Sequence, residues 1–209
     1  MNDIDSHFTE QLNIIQSQTL TVDPSTNVNQ TLFTYVFNSE ELTNDDITHL
    51  KAKALHPSEQ EVFARRKHVQ AQREYLATRF LLKQHVSQSL AIPFERLCVL
   101  FSDTETLLQI YDNEQLLPIS VCISHSHGFA AVAICHANSA LGIDIEKIMP
   151  NRNLTAVAKR YYHEQELQIC ATKNAVSLYR LWTLKEALAK ATRQPIAKIL
   201  GKNVFDYRT

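Results

Sequence analysis

A long stretch without glycine or proline constrains the fold of this chain more than any other feature of its sequence. Neither residue occurs between positions 58 and 90. Pro57 near the start of this stretch and Pro93 just after it indicate where a helical region begins and ends. Apolar positions recur within it every three or four residues, as on one face of an α-helix. These positions are Leu76, Phe80, the stem of Lys83, Val86 and Leu90.

Segments with the composition of β-strands and further helical segments surround this region. Runs rich in β-forming residues predict strands over 31–37, 97–101, 107–111, 119–123, 129–135 and 141–145. Beyond Pro150 the pattern is helical again, over 154–162, 164–171 and 175–191. Strands and helices of this kind, with no regular alternation between them, favour an α+β fold.

The chain divides into a leader and two halves. Residues 1–30 are polar and contain the turn signal Asp23-Pro24-Ser25, so we expect a loosely attached leader. A strand, helix and strands in the first half are echoed in altered order in the second, and the join falls near residue 120. We therefore predict an N-terminal half over 31–120 and a C-terminal half over 121–209.

Composition excludes several classes of protein. The chain has three glycines, Gly128, Gly142 and Gly201, whereas dinucleotide fingerprints and P-loops need several in one loop. Its 21 Lys and Arg against 22 Asp and Glu give a net charge of −1, which argues against a globally basic nucleic-acid-binding protein. No apolar run reaches the roughly 18 residues of a membrane span, and residues 1–10 lack the basic cluster of a signal peptide.

The cysteines indicate the compartment. They contain no C-x-x-C pair, which excludes zinc ribbons and thioredoxin-type redox sites. We expect free thiols in a reducing environment, and therefore a cytoplasmic protein. The four are Cys98, Cys122, Cys135 and Cys170.

The most informative short motif is Gly142-Ile143-Asp144-Ile145-Glu146-Lys147. Successive side chains of an extended segment point to opposite faces, so Asp144 and Glu146 project together, about 6–7 Å apart at the Cα level. Two such carboxylates can share a hard cation such as Mg²⁺. The alternative is the solvated acidic face of an edge strand.

A second motif lies on the predicted helix over 175–191. Trp182, Glu186 and Lys190 are spaced by four residues and therefore share one stripe of that helix. Glu186 could be a third metal ligand, and Lys190 a charge partner for a phosphate. The alternative is a surface ion pair that contributes about 0.3–0.5 kcal/mol.

Basic and hydroxyl side chains supply further candidates for phosphate binding. Arg66 and Arg73 are seven residues apart and would lie on one side of a continuous helix, where their guanidinium groups could bind phosphates. Ser124 and His125 end a predicted strand and could contact a phosphate. His125 and His127 could also ligate zinc, but no third nitrogen or sulfur ligand accompanies them.

Taken in order, these motifs resemble those of the 4′-phosphopantetheinyl transferase superfamily, and most closely its monomeric two-half type that activates peptide and polyketide synthases. The resemblance rests on Ile123-Ser124-His125-Ser126, on the Gly142–Lys147 motif, and on Leu181-Trp182-Thr183-Leu184-Lys185-Glu186-Ala187 followed by Lys190. It extends from about Pro57 to Lys190. It implies two similar α+β halves, a pseudo-dimer with antiparallel sheets and packed helices, of which the second is shortened.

The resemblance also implies roles for individual residues. Asp144, Glu146 and Glu186 correspond to the ligands of Mg²⁺. Lys185 and Lys190 correspond to the family's catalytic lysines. Glu166, which follows Tyr161-Tyr162, corresponds to the general base, with Glu164 as its rival two residues upstream.

The implied substrates are coenzyme A and an acyl or peptidyl carrier protein. Arg73, Ser124 and His125 correspond to coenzyme A contacts, to which we add Arg66. The family lysine of a Gly-Lys-Pro-like turn has no counterpart here, because residues 113–118 contain no lysine. We expect a monomer that transfers the 4′-phosphopantetheine arm to a carrier serine and binds neither nucleic acid nor membrane.

Two other functions remain open at this point. One is a catalytically idle relative that binds coenzyme A or a carrier protein without transfer. The other is a plain Mg²⁺-dependent phosphohydrolase, which would explain the acidic residues but not the Ser-His and Trp-Lys-Glu segments.

Overall fold

A computed structural model describes residues 15–22, 29–149, 154–171 and 175–207. Its strands are β1 (Ile15–Val22), β2 (Asn29–Asn38), β3 (Leu97–Ser102), β4 (Leu107–Asp112), β5 (Gln115–Leu116), β6 (Ser120–Ser126) and β7 (Phe129–Cys135). Its α-helices are α1 (Asn44–Ala54), α2 (Pro57–Ala64), α3 (Val69–Leu90), α4 (Leu154–Tyr161), α5 (Glu164–Ala171), α6 (Ala175–Thr192) and α7 (Ile196–Ile199).

The strands form one antiparallel sheet in the order β1-β2-β7-β6-β4-β3, with β5 paired to β4. The β6–β7 hairpin brings Ser126 opposite Phe129 through the two-residue turn His127-Gly128. Both turn residues have positive φ, 51° and 83°, as a type I′ turn requires. The α+β fold class is confirmed. This one sheet contains strands from both predicted halves of the chain. The division into halves at residue 120 therefore stays a prediction.

Helix α3 supplies the centre of the main core. Its buried face carries Leu76, Leu82 and Val86, which are fully shielded from solvent. These side chains belong to the same hydrophobic cluster as Val132 and Ile134 of β7. The helix therefore packs across the middle of the sheet, and it fixes the strands that end at the candidate site.

The helical region predicted over 57–90 is not continuous, since residues 65–68 separate α2 from α3. Tertiary contacts stabilise the break, although the sequence there has no glycine or proline. The Gln72 side-chain amide donates to the Arg66 carbonyl at 2.8 Å, and the Arg66 guanidinium lies 4.5 Å from the Tyr75 ring centre. The sequence predicted that Arg66 and Arg73 lie on one side of a continuous helix. This prediction is wrong, because Arg66 lies in the break and Arg73 lies on α3.

Three other expectations differ from the structure. Residues 15–22 of the predicted leader form β1, which pairs with β2 from Ile15 to Val22. The turn at Asp23-Pro24-Ser25 lies outside the described residues. Helix α1 was not predicted, although Thr43 caps it in a reciprocal box with Asp46. The strand predicted over 141–145 is absent, because this segment has no backbone ladder with a neighbouring strand.

A second, smaller core lies between the C-terminal helices. It is formed by Ala158 and Tyr162 with Leu181 of α6 and Val204. Of the cysteines, Cys98, Cys122 and Cys135 are free thiols, while the side chain of Cys170 lies outside the described part of the chain. Among the described residues, no helix is both long enough and apolar enough to cross a membrane.

Candidate active site

The end of β6 and the segment after β7 run side by side and meet through their side chains. Ser124 Oγ donates to Asp144 Oδ1 at 2.7 Å, and Ser126 Oγ donates to Glu146 Oε2 at 3.1 Å. Ser124 and Ser126 are two residues apart, and so are Asp144 and Glu146. In an extended segment, side chains two residues apart point to the same side, so both carboxylates face β6. Asp144 and Glu146 thus project together as predicted, although side-chain hydrogen bonds take the place of a strand ladder.

Gly142 allows the acidic segment to approach helix α6 closely. A Cβ atom at this position would lie 1.9 Å from the Ala187 carbonyl oxygen, so no larger residue fits without a shift of the backbone. Two further contacts fix the same approach. Lys190 Nζ donates to the Ile143 carbonyl and to Asp144 Oδ1, both at 3.0 Å.

Trp182 fixes the second carboxylate from the same helix. Its indole Nε1–H donates to Glu146 Oε1 at 3.2 Å, while Ser126 holds the other oxygen of Glu146. Helix α6 therefore orients the acidic segment through Trp182 and Lys190 together.

The end of β6, the acidic segment and helix α6 together line a cavity of about 440 Å³. It brings together six of the residues that the sequence singled out: Ser124, His125, Asp144, Glu146, Glu186 and Lys190. Its remaining lining residues are Ile123, Ser126 and Ile145.

The donor set of this cavity fits a hard divalent cation, but the ligands are not gathered around one point. No group of three or more His, Cys, Asp or Glu side chains within the described residues is close enough to hold a metal ion. Asp144 Oδ2, however, is buried and has no hydrogen-bond partner in that part of the chain. A buried carboxylate oxygen without a partner is costly in apolar surroundings and suits a Mg²⁺ ligand.

His125 is held by a carboxylate of helix α3. Its Nδ1 lies 3.1 Å from Glu74 Oε2, and Gln70 Nε2 donates to Glu74 Oε1 at 2.9 Å. The Glu74 side chain is only 8% exposed, whereas that of His125 is 57% exposed. The imidazole is thus fixed through Nδ1, and the rest of the ring is accessible to a ligand.

A second cavity, of about 630 Å³, adjoins the first and shares Ile123 and Lys190 with it. Its basic side chains surround an aromatic ring: the guanidinium carbons of Arg66 and Arg79 lie 4.5 and 4.2 Å from the Tyr75 ring centre. Burial lowers the pKa of Arg79, which Tyr75 and then Glu59 partly offset. Such a cavity suits an anionic, aromatic ligand.

The remaining predicted residues lie apart from the first cavity. Arg66 lines the second cavity, and Arg73 lines neither. The Nε atoms of both arginines are buried without a hydrogen-bond partner among the described residues. Glu166 and Lys185 are fully buried and bind each other, with Lys185 Nζ 2.8 Å from Glu166 Oε2. Of the three side chains predicted to be catalytic, Glu166 and Lys185 are therefore buried away from the cavity, and Lys190 lines it.

Sequence reasoning missed three residues that position the site. Ser126 shares the alternation of Ser124, and this spacing could have indicated its contact with the acidic segment. Trp182 was placed on one helix stripe with Glu186 and Lys190 but was given no role, and nothing in the sequence indicates that its indole faces Glu146. Glu74 is adjacent to Arg73, but its pairing with His125 joins positions 51 residues apart and cannot be inferred from local spacing.

Comparison with known proteins relates this site to one family. Residues 140–207 match the family model of the 4′-phosphopantetheinyl transferase superfamily. The chain is 33% identical over 81 residues to the 4′-phosphopantetheinyl transferase HetI of Nostoc sp., covering 37% of this chain and 34% of that protein. It is 28% identical over 88 residues to the putative 4′-phosphopantetheinyl transferase slr0495 of Synechocystis sp., covering 40% and 35%.

The matched region contains the acidic segment and helix α6. The chain spans about a third of the length of each of these two relatives. The resemblance to the 4′-phosphopantetheinyl transferase superfamily is thereby confirmed.

Proposed function

We propose that this protein transfers the 4′-phosphopantetheine arm of coenzyme A to a serine of an acyl or peptidyl carrier protein and releases 3′,5′-ADP. The observation that carries the proposal is that the acidic segment and helix α6, both inside the family match, line one cavity. Asp144, Glu146, Glu186 and Lys190 supply there the carboxylates and the cation that a pyrophosphate reaction needs.

Asp144, Glu146 and Glu186 are the proposed ligands of Mg²⁺. The buried Oδ2 of Asp144, which has no hydrogen-bond partner among the described residues, supports this assignment. When bound, the ion supplies positive charge to the oxygens of the pyrophosphate. Ser124, Ser126 and Trp182 hold the carboxylates in place and prevent their rotation.

The two adjoining cavities suggest how coenzyme A is divided between them. The pyrophosphate would lie in the first cavity against Lys190, Ser124 and His125. The nucleotide would extend past Ile123 into the second cavity, where Tyr75 and the arginines suit its base and phosphate. Arg73 stays a proposed contact that would need its side chain to turn toward the ligand.

The reaction itself is a displacement at phosphorus. The carrier serine oxygen forms a bond to the phosphorus that bears the pantetheine arm, and the bond from that phosphorus to the bridging oxygen breaks. Lys190 neutralises the charge that develops on the departing 3′,5′-ADP. The serine proton goes to a group that lines the cavity, such as the imidazole of His125, and from there to solvent.

Glu166 does not suit the role of proton acceptor in this arrangement. Its oxygens are occupied by Lys185 and by two backbone N–H groups, and the residue is 0% exposed. A general base must come within hydrogen-bond distance of the proton that it removes. We therefore place the acceptor in the cavity.

The substrates, the cellular location and the oligomeric state of this protein are also proposals. The family resemblance supports a carrier protein as the acceptor and coenzyme A as the donor. We propose a cytoplasmic location, in keeping with the cysteines that form no disulfide among the described residues, and, from the resemblance, a monomer.

Intact-protein mass spectrometry tests the function. An apo carrier protein incubated with coenzyme A, Mg²⁺ and this protein should gain the mass of one phosphopantetheinyl group. A carrier whose acceptor serine is replaced by alanine should gain nothing, and chelation of the metal should prevent the gain. Binding of coenzyme A without any gain on several apo carriers would instead support an idle relative, and hydrolysis of coenzyme A without a carrier would support a phosphohydrolase.

A further inference from the structure

We infer that Glu166 and Lys185 are positioning residues, a buried ion pair that sets the orientation of helix α6 and thereby of Glu186 and Lys190. This inference rests on the proposed function for its catalytic consequences. It differs from the roles that the resemblance implies, a general base and a catalytic lysine. It is carried by the contacts of the pair and by a second pair of the same design elsewhere in the chain.

The hydrogen bonds of Glu166 leave its carboxylate no open side. Oε1 accepts from Lys185 Nζ and from the Val204 backbone N–H, each at 2.9 Å. Oε2 accepts from the His163 N–H at 3.1 Å and lies 2.8 Å from Lys185 Nζ. One carboxylate thus joins the start of α5, the middle of α6 and the segment after α7.

Lys185 is equally enclosed. Its side chain is 0% exposed, and Nζ also donates to the Lys202 carbonyl at 2.7 Å. The ammonium lies 4.9 Å from the centre of the Tyr162 ring. Burial lowers the pKa of Lys185, while the hydrogen bond and charge of Glu166 raise it. A lysine held in this way cannot reach a phosphate in the cavity without leaving its core position.

Glu59 and Lys83 repeat this arrangement between α2 and α3. Glu59 accepts from the His56 N–H at 2.7 Å and from the Val99 N–H at 2.9 Å, and it binds Lys83 Nζ. Lys83 Nζ also donates to the carbonyl of Ala54 at 2.8 Å.

The two arrangements agree in their parts. Each glutamate follows a helix-capping histidine by three residues and binds a lysine from the next long helix, a backbone N–H from a later segment, and the histidine's own N–H. Neither Glu59 nor Lys83 lines either of the two cavities. The same design therefore occurs at a pair that lines neither cavity, which supports a structural role for it.

The pair acts on the site through the geometry of helix α6. Adjacent residues of an α-helix point about 100° apart, so fixing Lys185 in the core determines the direction of Glu186. Lys190 lies five residues after Lys185, and the same rotation of helix α6 about its axis determines the direction of its side chain. The ion pair thus keeps Glu186 and Lys190 facing the cavity, while Lys185 itself stays out of it.

A double-replacement experiment tests the inference. Glu166→Gln alone or Lys185→Met alone leaves one partner of a buried pair uncompensated, so the melting temperature should fall by on the order of 10 °C. The double variant Glu166→Gln/Lys185→Met has no unpaired charge and should recover at least half of that loss. Its kcat should lie within about tenfold of the wild-type value. Loss of a general base would instead lower kcat by about 10²–10⁴-fold.

Binding of Mn²⁺, measured by electron paramagnetic resonance, reports on positioning without reference to activity. Glu166→Gln should weaken Mn²⁺ binding because Glu186 moves with the helix. Glu59→Gln is the matched control: it should lower the melting temperature comparably and leave Mn²⁺ binding unchanged. If the single variants do not fold, the kcat and Mn²⁺ binding of the double variant decide the question, with Glu59→Gln as the control.

The inference would be overturned if the single variants kept the wild-type melting temperature and the double variant lost about 10²-fold or more in kcat. Absence of transfer by the wild-type protein would contradict the proposed function instead. The melting temperatures and Mn²⁺ binding would then still decide whether the pair positions the helix.

Discussion

At the scale of single residues, Gly142 shows how the backbone determines the chemistry of the site. Its missing Cβ lets the acidic segment touch the Ala187 carbonyl of helix α6. Asp144 follows two residues later and is bound by Lys190 from the same helix. The distance between the segment and the helix therefore depends on this glycine, and with it the position of the Asp144 carboxylate.

Replacement of Gly142 by alanine should lower both stability and transfer. The added Cβ would force the segment away from α6, at a cost of about 1–3 kcal/mol of unfolding free energy. Lys190 would lose its contacts with the segment, so turnover should fall as well. Gly201→Ala is the matched control, because its Cβ would meet nothing nearer than the Tyr161 carbonyl at 3.9 Å. Equal urea-unfolding free energies for the two variants would contradict this account of Gly142.

The residues of the first cavity could be selected from the sequence because their signals are local. Asp144 and Glu146 alternate along one segment, and Glu186 and Lys190 are four residues apart on one helix. The structure brings all four to one cavity, while their chemical roles remain proposals. The burial of Glu166 could not be foreseen, because it depends on Lys185 and Val204, which are distant in sequence.

At the scale of elements, the differences from the sequence-based expectations have tertiary causes. The break between α2 and α3 is held by Gln72 and by the ring of Tyr75, neither of which is a recognised helix-ending signal. The alternating segment over 141–145 has the composition of a strand, yet it binds β6 through side chains and α6 through Gly142. Local composition predicted its alternation correctly but not its partner.

A pair of histidines joins helix α3 to the sheet on the side of β2 and β7. His85 Nε2 lies 2.8 Å from His136 Nε2, and Tyr35 OH lies 2.7 Å from His85 Nδ1. The Phe33 ring packs 4.4 Å from that of His85. Burial, and then the nearby His136, lowers the pKa of His85 from 6.5 to about 4, and burial also lowers the pKa of His136.

This histidine pair should make the stability of the fold depend on pH. The folded-state pKa of His85 lies below the unfolded value of 6.5, so its contribution is present above pH 6.5 and is lost as the pH falls toward 4. Because the pair is only partly buried, we expect a loss of about 1–2 kcal/mol. Urea unfolding of wild type and of His85→Gln between pH 7.5 and pH 4.5 measures it. The variant should lose less stability than wild type over this range, and parallel pH dependences would contradict the assignment.

At the scale of the whole molecule, two helix pairs follow one plan. The residue directly after each of helices α3 and α6 has the left-handed conformation: Ala91 with φ 53° and Arg193 with φ 54°. Each is followed two residues later by a proline, Pro93 or Pro195. Each helix also carries the lysine of a buried Glu–Lys pair. The two-half arrangement that the family resemblance implies stays a prediction. The first pair packs on the sheet, and the second carries Glu186 and Lys190 to the site.

The sequence was sufficient for the α+β class and for most strands of the sheet, since hydrophobic alternation and turn residues specify these locally. It also suggested two similar halves, but it did not show which helix residues correspond, because the two helix pairs share few residue types. The shared positions are the capping histidines, the buried glutamates and lysines, and the prolines. Their equivalence becomes visible only through matching hydrogen bonds.

The most direct test of the central claim compares two glutamates in the carrier-modification reaction. Glu186 lines the cavity on α6, whereas Glu164 is exposed at the start of α5. The measurement is the rate at which an apo carrier protein gains one phosphopantetheinyl group at millimolar Mg²⁺, followed by intact mass. Our account predicts that Glu186→Gln lowers this rate by at least about 100-fold, while Glu164→Gln stays close to wild type. Equal rates for the two variants would contradict the location of the reaction in this cavity.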